Sequence, residues 1–405
     1  MKKIFLYLLF FYAVFAQSSS LALSGFGERM ETFDAASMGM GDSRLFSENH
    51  NSISYSSTST YWRTSLTRLF MTVQISDSEL GNNKEITENH FQMFSFLFPV
   101  GEHKTVAFGL NPMYRSSLSL VEEQLHFIGA DISPTGDPLA FRTTYDFSGG
   151  ISEFFTAYSM KISDGFSFGL RWSKLFGNSY YRYILSLSDV SFNEDESIQF
   201  TGEEISFGNY KQKYSSNSYE LELRFEKNNF ETALSYYKTN SLKVRLSPEY
   251  DLTGWSNGQN YFVDSGEEKF GLGFKIAFSN DFGLVSEFNY LESFDSYDFL
   301  NILEDDSPNL SSFHLGTYYK INNMKNNLNN INLRFGLFSK KYELMNINLY
   351  DKGLTLGVGF EYSDYNNSID FCFKFGSRES EYALIDYENY VKFVLSISSG
   401  ERWFQ

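Results

Sequence analysis

The chain has 405 residues, of which 19% are aromatic, yet its mean hydropathy is −0.31. This value and the lack of any internal stretch of about 18 apolar residues exclude a bundle of membrane-spanning helices. The net charge of −17 argues against nucleic acid as a partner, and the single cysteine, Cys372, excludes an internal disulfide. Many aromatic residues with a low mean hydropathy indicate that apolar and polar residues alternate.

The chain begins with the features of a secretory signal peptide. Two lysines are followed by an apolar stretch from Ile4 to Phe15, and Ala16 supplies a small residue for cleavage. We therefore expect residues 1–16 to be removed during export. Cleavage after Ala22 and a retained membrane anchor are the alternatives.

The next segment, residues 17–59, lacks the alternation that strands require. It contains several glycines together with large apolar residues such as Phe26, Met30 and Phe33, which are unusual for a free tail. Such a segment attached to a barrel predicts a plug, or hatch, inside the lumen. The alternative is a disordered tail in the periplasm.

From residue 60 onward the sequence is a series of alternating runs. Between Lys269 and Glu292, large apolar residues such as Phe270, Leu272 and Phe274 occupy every second position, and a Ser-Asn-Asp turn separates two such runs. A period of two predicts strands. The fourteen predicted strands cover residues 60–75, 89–99, 104–115, 142–161, 165–178, 213–226, 229–247, 267–278, 282–292, 311–322, 330–342, 350–363, 367–377 and 388–400. The predicted fold class is all-β, a 14-stranded antiparallel transmembrane β-barrel over residues 60–405.

The connections between these strands alternate in length. Those after strands two, four, six, eight and twelve are short turns, whereas segments such as 116–141, 179–212 and 293–310 are long, polar and acidic. Barrels of the outer membrane have this layout, with turns in the periplasm and loops outside. The large apolar side chains would then face lipid, and the small or charged ones would face the lumen. A soluble β-sandwich, which buries its apolar side chains, is the alternative.

The third predicted strand contains a proline. Pro112 has no N–H group and cannot donate a hydrogen bond to a neighbouring strand. Within the hydrocarbon, this missing bond predicts a lateral opening in the wall at Asn111 and Pro112. The alternative is that Pro112 lies above the membrane, at the outer end of its strand.

Charged residues at inward-facing positions are candidates for a binding or selectivity patch, because Arg and Lys side chains bind carboxylates. The candidates are Arg171, Arg224, Lys275, Glu287, Arg334, Glu361, Asp370 and Lys374. Pairing between neighbouring strands is the alternative explanation. Residues 165–169 match Gly-x-Ser-x-Gly, but they lie in an alternating strand and not at the elbow that the catalytic motif needs. The sequence predicts no catalytic residue, no metal site and no cofactor.

The stretch AASMGMGD, from Ala35 to Asp42, resembles the Gly-Met-Gly signature that FadL-family outer-membrane transporters carry early in the mature chain. The predicted strands and segment 17–59 are similar to that family, and to the related PorV barrel of the type IX secretion system. The resemblance implies a hatch in the lumen and uptake of hydrophobic small molecules, with a sideways exit through strand three. The implied hatch residues are Gly39, Met40, Gly41 and Asp42.

Three functions remain open on the sequence. The first is passive, non-enzymatic uptake of hydrophobic or amphipathic, fatty-acid-like small molecules across the outer membrane, whose lipid surrounds the barrel. The second is a PorV-like role as a subunit of a type IX secretion system, with secretion proteins as partners. The third is a structural barrel without transport. Uptake predicts an apolar pocket between hatch and wall.

Overall fold

The computed structural model describes residues 21, 26–48, 52–80, 84–126, 139–192, 198–248, 260–263, 266–294, 309–322, 328–344, 347–362, 367–380 and 387–402. The predicted signal peptide, residues 1–16, lies outside these residues. No helix within the described ranges is long and apolar enough to cross a membrane.

Fourteen antiparallel strands follow one another around one closed sheet, which confirms the predicted barrel. The first seven are β1 Thr67–Leu80, β2 Lys84–Gly101, β3 Lys104–His126, β4 Leu139–Ser163, β5 Phe166–Phe192, β6 Ile198–Lys227 and β7 Phe230–Thr239, which continues as Leu242–Pro248. The others are β8 Asn260–Val263 with Glu268–Ala277, β9 Phe282–Glu292, β10 Asn309–Asn322, β11 Leu328–Leu344, β12 Ile347–Tyr362, β13 Asn367–Ser380 and β14 Tyr387–Glu401. Each piece of β7 pairs with β6, and each piece of β8 pairs with β7.

The first and last strands pair and close the barrel. This ladder, which we call the seam, runs from the pair Thr67–Glu401 to the pair Leu80–Glu388. Closure leaves no strand edge at the point where the two ends of the barrel meet, and lipid would solvate such an edge poorly.

Alternating side chains face opposite sides of the wall, as the period of two predicts. In β8, Phe274 is 39% exposed on the outer surface, whereas the next residue, Lys275, is 1% exposed in the lumen. Charge is therefore inside and apolar surface is outside, the reverse of a soluble protein. This distribution suits a wall whose outer solvent is hydrocarbon.

The first strand begins at Thr67, although the sequence predicted a start at residue 60. Thr58–Arg63 forms a 3₁₀ helix instead. Within it, the Thr60 hydroxyl lies within hydrogen-bond distance of the Ser57 carbonyl (2.8 Å) and of the Ser54 carbonyl (3.0 Å). Hydroxyl groups that bond to nearby backbone in this way compete with the ladder of a sheet.

Strands β3 to β6 continue far beyond the length that a membrane requires. They contain 23, 25, 27 and 30 residues, although about 9–11 residues cross the hydrocarbon. The prediction of loops at 116–141 and 179–212 was therefore wrong for most of these residues. Neighbouring strands still satisfy one another's backbone groups outside the membrane, but there lipid no longer requires an apolar residue at every second position.

Candidate functional site

The described residues before the first strand lie inside the barrel and pack against its wall. We call residues 26–48 and 52–66 the inner segment. Its residues Glu28–Arg29 pair antiparallel with Tyr114 and Arg115 of β3. A Cβ atom on Gly27 would lie 2.1 Å from the Arg115 carbonyl oxygen, so only glycine allows this approach.

The inner segment contains one short helix, α1 (Ala35–Gly39), followed by a tight turn. Asp34 caps the helix by accepting a hydrogen bond from the Ser37 N–H (2.7 Å). After the helix, Gly41 and Asp42 adopt positive φ angles of 76° and 65°. The chain thereby reverses within the lumen and continues towards the opposite wall.

The predicted hatch residues, Gly39 to Asp42, lie directly on glycines of the wall. A Cβ on Gly336 would be 2.0 Å from the Gly41 nitrogen, and one on Gly316 would be 2.2 Å from the Met40 oxygen. The Thr355 hydroxyl of β12 accepts from the Gly41 N–H (2.9 Å) and donates to the Gly39 carbonyl (3.0 Å). Backbone packs on backbone here, which explains glycine on both sides of the contact.

Charged side chains of the inner segment pair with inward-facing residues around most of the barrel. Arg44 binds Glu220 of β6 at 2.7 Å, and Asp42 binds Lys374 of β13 at 2.8 Å. The pairs of this ion-pair belt are Glu28–Arg378, Glu28–Lys392, Arg29–Glu267, Glu31–Lys269, Glu31–Lys340, Asp42–Lys340, Asp42–Lys374, Arg44–Glu220, Arg44–Glu222, Glu48–Arg334, Arg63–Glu226 and Arg63–Glu231. Removing one partner of a buried pair leaves an uncompensated charge, so the belt fixes the position of the inner segment.

The structure places the predicted lumen charges on the inner side of the wall, in two groups. The residues that bond to the inner segment are Arg224, Lys275, Glu287, Arg334 and Lys374. Three others bond within the wall: Arg171 to Asn111, Glu361 to Asn330, and Asp370 to Arg334. Pairing accounts for all eight, but the chief partner is the inner segment and not a neighbouring strand.

Sequence reasoning missed the charges that the inner segment itself supplies. These are Glu28, Arg29, Glu31, Arg44, Glu48 and Arg63, all in the ion-pair belt. A signal was present, because charges of both signs occur among large apolar residues in a stretch without strand periodicity. Such a mixture suits a segment enclosed by polar walls.

Burial acts differently on two carboxyl groups of the inner segment. Burial favours a raised pKa for Glu31, but the ammonium groups of Lys269 and Lys340 outweigh it and hold that pKa well below its ordinary value. For Glu48, burial prevails over Arg334 and, with nearby Asp370 and Glu361, raises the pKa to about 7. Glu31 therefore stays ionised, whereas Glu48 exchanges its proton near neutral pH.

Strands β2 and β3 are joined by a short turn but separate part of the way along their length. Their last pair is Phe94–Leu110. Beyond it, β2 continues to Lys84 alongside β1, and β3 continues to His126 alongside β4. We call this divergence the split, and within the described residues no pair joins β2 to β3 beyond Phe94–Leu110.

Asn111 and Pro112, the residues predicted for a lateral opening, lie immediately beyond Phe94–Leu110, the last pair before the split. Pro112 also borders a bulge in the pairing of β3 with β4. The Asn111 amide donates to the Glu153 carboxylate (2.8 Å) and accepts from the Arg171 guanidinium (2.7 Å). A polar network therefore supports the wall at the base of the split.

Apolar side chains lie on both sides of the wall near the split, next to the polar network of Asn111. Outside, Leu110 and Phe154 form a neighbouring pair and are 37% and 46% exposed. Inside lies a buried group that we call the apolar cluster. Its members are Phe26, Met113, Tyr114, Ile151, Leu175, Tyr214, Tyr237, Leu242, Val244 and Phe294.

Phe26 of the inner segment joins the walls of the apolar cluster. Its ring meets those of Tyr114, Tyr214 and Phe294 edge to face, with centroids 5.8, 5.5 and 5.4 Å apart. A side chain of the chain itself thus occupies the place where an apolar guest would make the most contacts.

Two cavities adjoin the inner segment, and both have linings in which polar and apolar side chains are mixed. The larger, about 660 Å³, has Asp34, Glu48, Arg334 and Asp370 in its lining and is bordered by the short turns at one end of the barrel. The smaller, about 40 Å³, lies between the inner segment and the wall and is lined in part by Arg29, Glu31, Arg44, Arg171 and Lys269. Met113 and Tyr237 of the apolar cluster also line the smaller cavity, so charged and apolar groups of the lumen meet there.

Solved structures with the same fold include three outer-membrane proteins. A FadL homologue from Pseudomonas aeruginosa has a TM-score of 0.60 at 13% identity and covers 94% of this chain and 100% of that chain. The CymD monoaromatic hydrocarbon channel has a TM-score of 0.55 at 11% identity, with 92% and 98% covered. The Ralstonia pickettii toluene transporter TbuX has a TM-score of 0.53 at 13% identity, with 91% and 98% covered. Likeness at these identities shows the fold alone, a FadL-like barrel.

The family is shown by a different comparison. No curated protein matches the chain. A family model described as BamG matches residues 1–405, the whole length of the sequence. The protein is therefore a member of the BamG family with a FadL-like outer-membrane barrel fold.

Proposed function

We propose that the protein passes hydrophobic or amphipathic, fatty-acid-like small molecules through the outer leaflet of the outer membrane and releases them sideways into the bilayer. The observation that carries this proposal is that the apolar cluster includes Met113 and Tyr114, which follow Pro112 in β3 next to the split. From the cluster, the route to lipid passes the polar network of Asn111 and then the apolar side chains of the outer surface.

The ion-pair belt supports a sideways exit over a direct one. A hydrophobic molecule that continued along the barrel axis would have to pass the charged residues that bind Glu31, Asp42 and Arg44. Separating buried ion pairs costs several kcal/mol, roughly 3–5 for the loss of one partner. The route through the split bypasses the ion-pair belt and meets one buried pair, Glu153–Arg171, which bonds to Asn111 where β3 leaves β2.

The named activities of the fold relatives agree with an apolar cargo. One is described as a monoaromatic hydrocarbon channel and one as a toluene transporter. Membrane lipid is the expected receiver of the cargo. We infer no cofactor and no catalysis, since passage down a concentration gradient needs neither.

Uptake by intact cells tests this function. We would compare cells that lack the protein with cells that express it, using labelled oleate and labelled toluene as probes. The Phe26→Ala variant should take up at least one probe several-fold faster, because the place of the Phe26 ring in the apolar cluster is then vacant. Phe46→Ala is the matched control, since Phe46 is a buried aromatic residue of the inner segment in a different cluster.

Two results would contradict the proposal. One is uptake of both probes at the rate of cells without the protein, with folded barrel present in the membrane. The other is a large, steady ion conductance of the purified protein in planar bilayers, because it would indicate an open aqueous path through the ion-pair belt. The amount of folded barrel is measured in each strain by its altered gel mobility before heating.

A second candidate function, binding of a secretion or other protein partner in the manner of PorV, is favoured by one observation. Strands β5 and β6, with 27 and 30 residues, extend the wall well beyond the membrane. Uptake does not require such a wall, whereas a partner could bind it. Native mass spectrometry from a gentle detergent separates the candidates: a retained small molecule favours uptake, and a stoichiometric retained protein favours the partner role.

A further inference from the structure

The seam poses a problem that no other ladder of this barrel has. Its two strands are the first and the last, so residues near 70 must meet residues near 396. Bringing such distant parts of a chain together has the largest loop-closure cost in the barrel, and until they meet both strands expose an open edge. Whatever packs behind the seam therefore affects whether the barrel stays closed.

Tyr55 of the inner segment contacts both strands of the seam at once. Its ring stacks on Phe70 of β1, with centroids 3.7 Å apart and planes 7° apart. Its hydroxyl is hydrogen-bonded to the hydroxyl of Ser398 in β14. Phe70 and Ser398 are directly opposite each other in the ladder, so one side chain covers both members of a pair.

The next inward-facing pair of the seam is also covered. Thr72 of β1 and Ser396 of β14 are opposite each other, and their hydroxyl oxygens are 2.8 Å apart. The Ala35 N–H, at the start of α1, donates to the Ser396 hydroxyl at 2.8 Å. The first turn of the helix thus docks on a hydroxyl pair that spans the seam.

Contacts continue along β14 in the same direction. Val394 belongs to a buried cluster with Ala35 and Met38 of α1, and Lys392 binds Glu28 at 2.7 Å. Four successive inward-facing positions of β14, from residue 392 to residue 398, therefore meet the inner segment. The ion-pair belt holds the same segment to the far wall, for example through Arg44 and Glu220.

We propose that the inner segment is an internal clamp that holds the first and last strands together, a role separate from any gating of cargo. The clamp acts through Tyr55, which contacts both strands, and through Ala35, whose N–H binds Ser396 of the Thr72–Ser396 pair. The clamp requires no passage of cargo, so the clamp and the proposed transport can each be right or wrong alone.

Hydrogen exchange of the full-length protein in detergent tests the clamp. Tyr55→Ala should speed exchange of the β1 and β14 amides at least tenfold and leave β8 to β11 within twofold. Phe46→Ala is the matched control: it removes an equally buried ring that packs on Gly273 of β8, away from the seam, and should show the reverse pattern. Tyr55→Phe keeps the stack, loses the hydroxyl contact and should fall between wild type and Tyr55→Ala.

A disulfide rescue keeps the proposal testable if Tyr55→Ala folds poorly. Val73→Cys with Leu395→Cys joins residues that are opposite each other across the seam. In the Tyr55→Ala background this bond should restore the yield and heat resistance of folded barrel. The control bond, Leu272→Cys with Phe288→Cys between β8 and β9, should not. Unchanged exchange at β1 and β14 in Tyr55→Ala, or equal rescue by both bonds, would overturn the clamp.

Discussion

The seam and the split show opposite outcomes at two junctions of the same wall. At the seam, strands that are farthest apart in sequence pair from Thr67–Glu401 to Leu80–Glu388. At the split, two strands that are joined by a short turn separate after the pair Phe94–Leu110. Nearness along the chain therefore does not decide where this barrel is closed, and at the seam the proposed clamp behind the wall does.

The inner segment treats the two junctions differently. Behind the seam, Tyr55 contacts both strands, and the Ala35 N–H binds Ser396 of β14. At the split, its residues Glu28–Arg29 pair with β3 alone and so take up backbone groups that β2 would otherwise satisfy. Glu28 also reaches Lys392 of β14, which makes it a link between the two junctions.

The largest expected effect comes from removing Arg378, which also binds Glu28. This guanidinium binds Glu28 (2.7 Å), Glu388 (2.9 Å) and Asp351 (3.4 Å). Arg378→Met leaves three buried carboxylates without it, so we expect the free energy of unfolding to fall by about 3–5 kcal/mol in urea titrations. Lys341→Met, which removes an exposed partner of Glu343, is the control and should leave the free energy of unfolding nearly unchanged. A similar fall in the free energy of unfolding for both variants would contradict a role for Arg378 in holding Glu28.

A smaller effect is expected from adding a side chain where the inner segment packs on glycines of the wall. Gly336→Ala would place a Cβ 2.0 Å from the Gly41 nitrogen. Overpacking of this kind costs about 1–3 kcal/mol in free energy of unfolding, and exchange at the seam should rise because the clamp shifts. At Gly101 the nearest atom to an added Cβ is 3.9 Å away, so Gly101→Ala should be tolerated. If Gly336→Ala lowers the free energy of unfolding but leaves exchange of the β1 and β14 amides unchanged, the contact of the inner segment with Gly336 does not contribute to the clamp.

The third effect depends on pH and arises at Glu48. Its pKa is raised by burial from 4.5 to about 7 in the fold, so between these values the unfolded chain has released a proton that the folded chain keeps. The contribution of Glu48 is therefore fully present below about pH 4.5 and is lost as the pH rises through 7. From pH 5 to pH 8, the free energy of unfolding should fall less in Glu48→Gln than in wild type. Equal differences in the two proteins would refute the assignment.

The smallest effect is expected at the split itself. If the inner segment keeps β2 and β3 apart, restoring an N–H with Pro112→Ala should not close the ladder. We expect the unfolding free energy to change by about 1 kcal/mol or less and the amides of residues 84–93 to exchange as before. Pro99→Ala is the control, because Pro99 is paired with Thr105 in the closed part of the same ladder. Strong new protection at residues 84–93 would mean that the proline alone opens the wall.

Much of the fold was predictable from local pattern. The alternation around Phe274 and Lys275 identified a strand and its two faces, and the same pattern elsewhere led to fourteen strands. The pattern failed where the chain leaves the lipid, as in the outer parts of β5 and β6, because no apolar solvent selects every second residue there. It also failed at Thr58–Arg63, where hydroxyl side chains bond to the backbone.

The candidate site was predictable only in part. Gly39 to Asp42 stand out by composition, and Arg334 or Lys374 by their inward positions, but none of these features names a partner. The matching of Arg44 with Glu220, or of Tyr55 with both strands of the seam, joins residues far apart in sequence. Pairings of this kind follow from the closed shape of the barrel and leave no periodic trace.

By itself, the sequence determined which residues face lipid and which face the lumen, since that choice repeats every two residues and depends only on the side chain and its surroundings. Tertiary structure alone decided where the wall is sealed, where it divides and which charge meets which. These outcomes depend on the inner segment, because its contacts with the wall exist only once all the strands are in place.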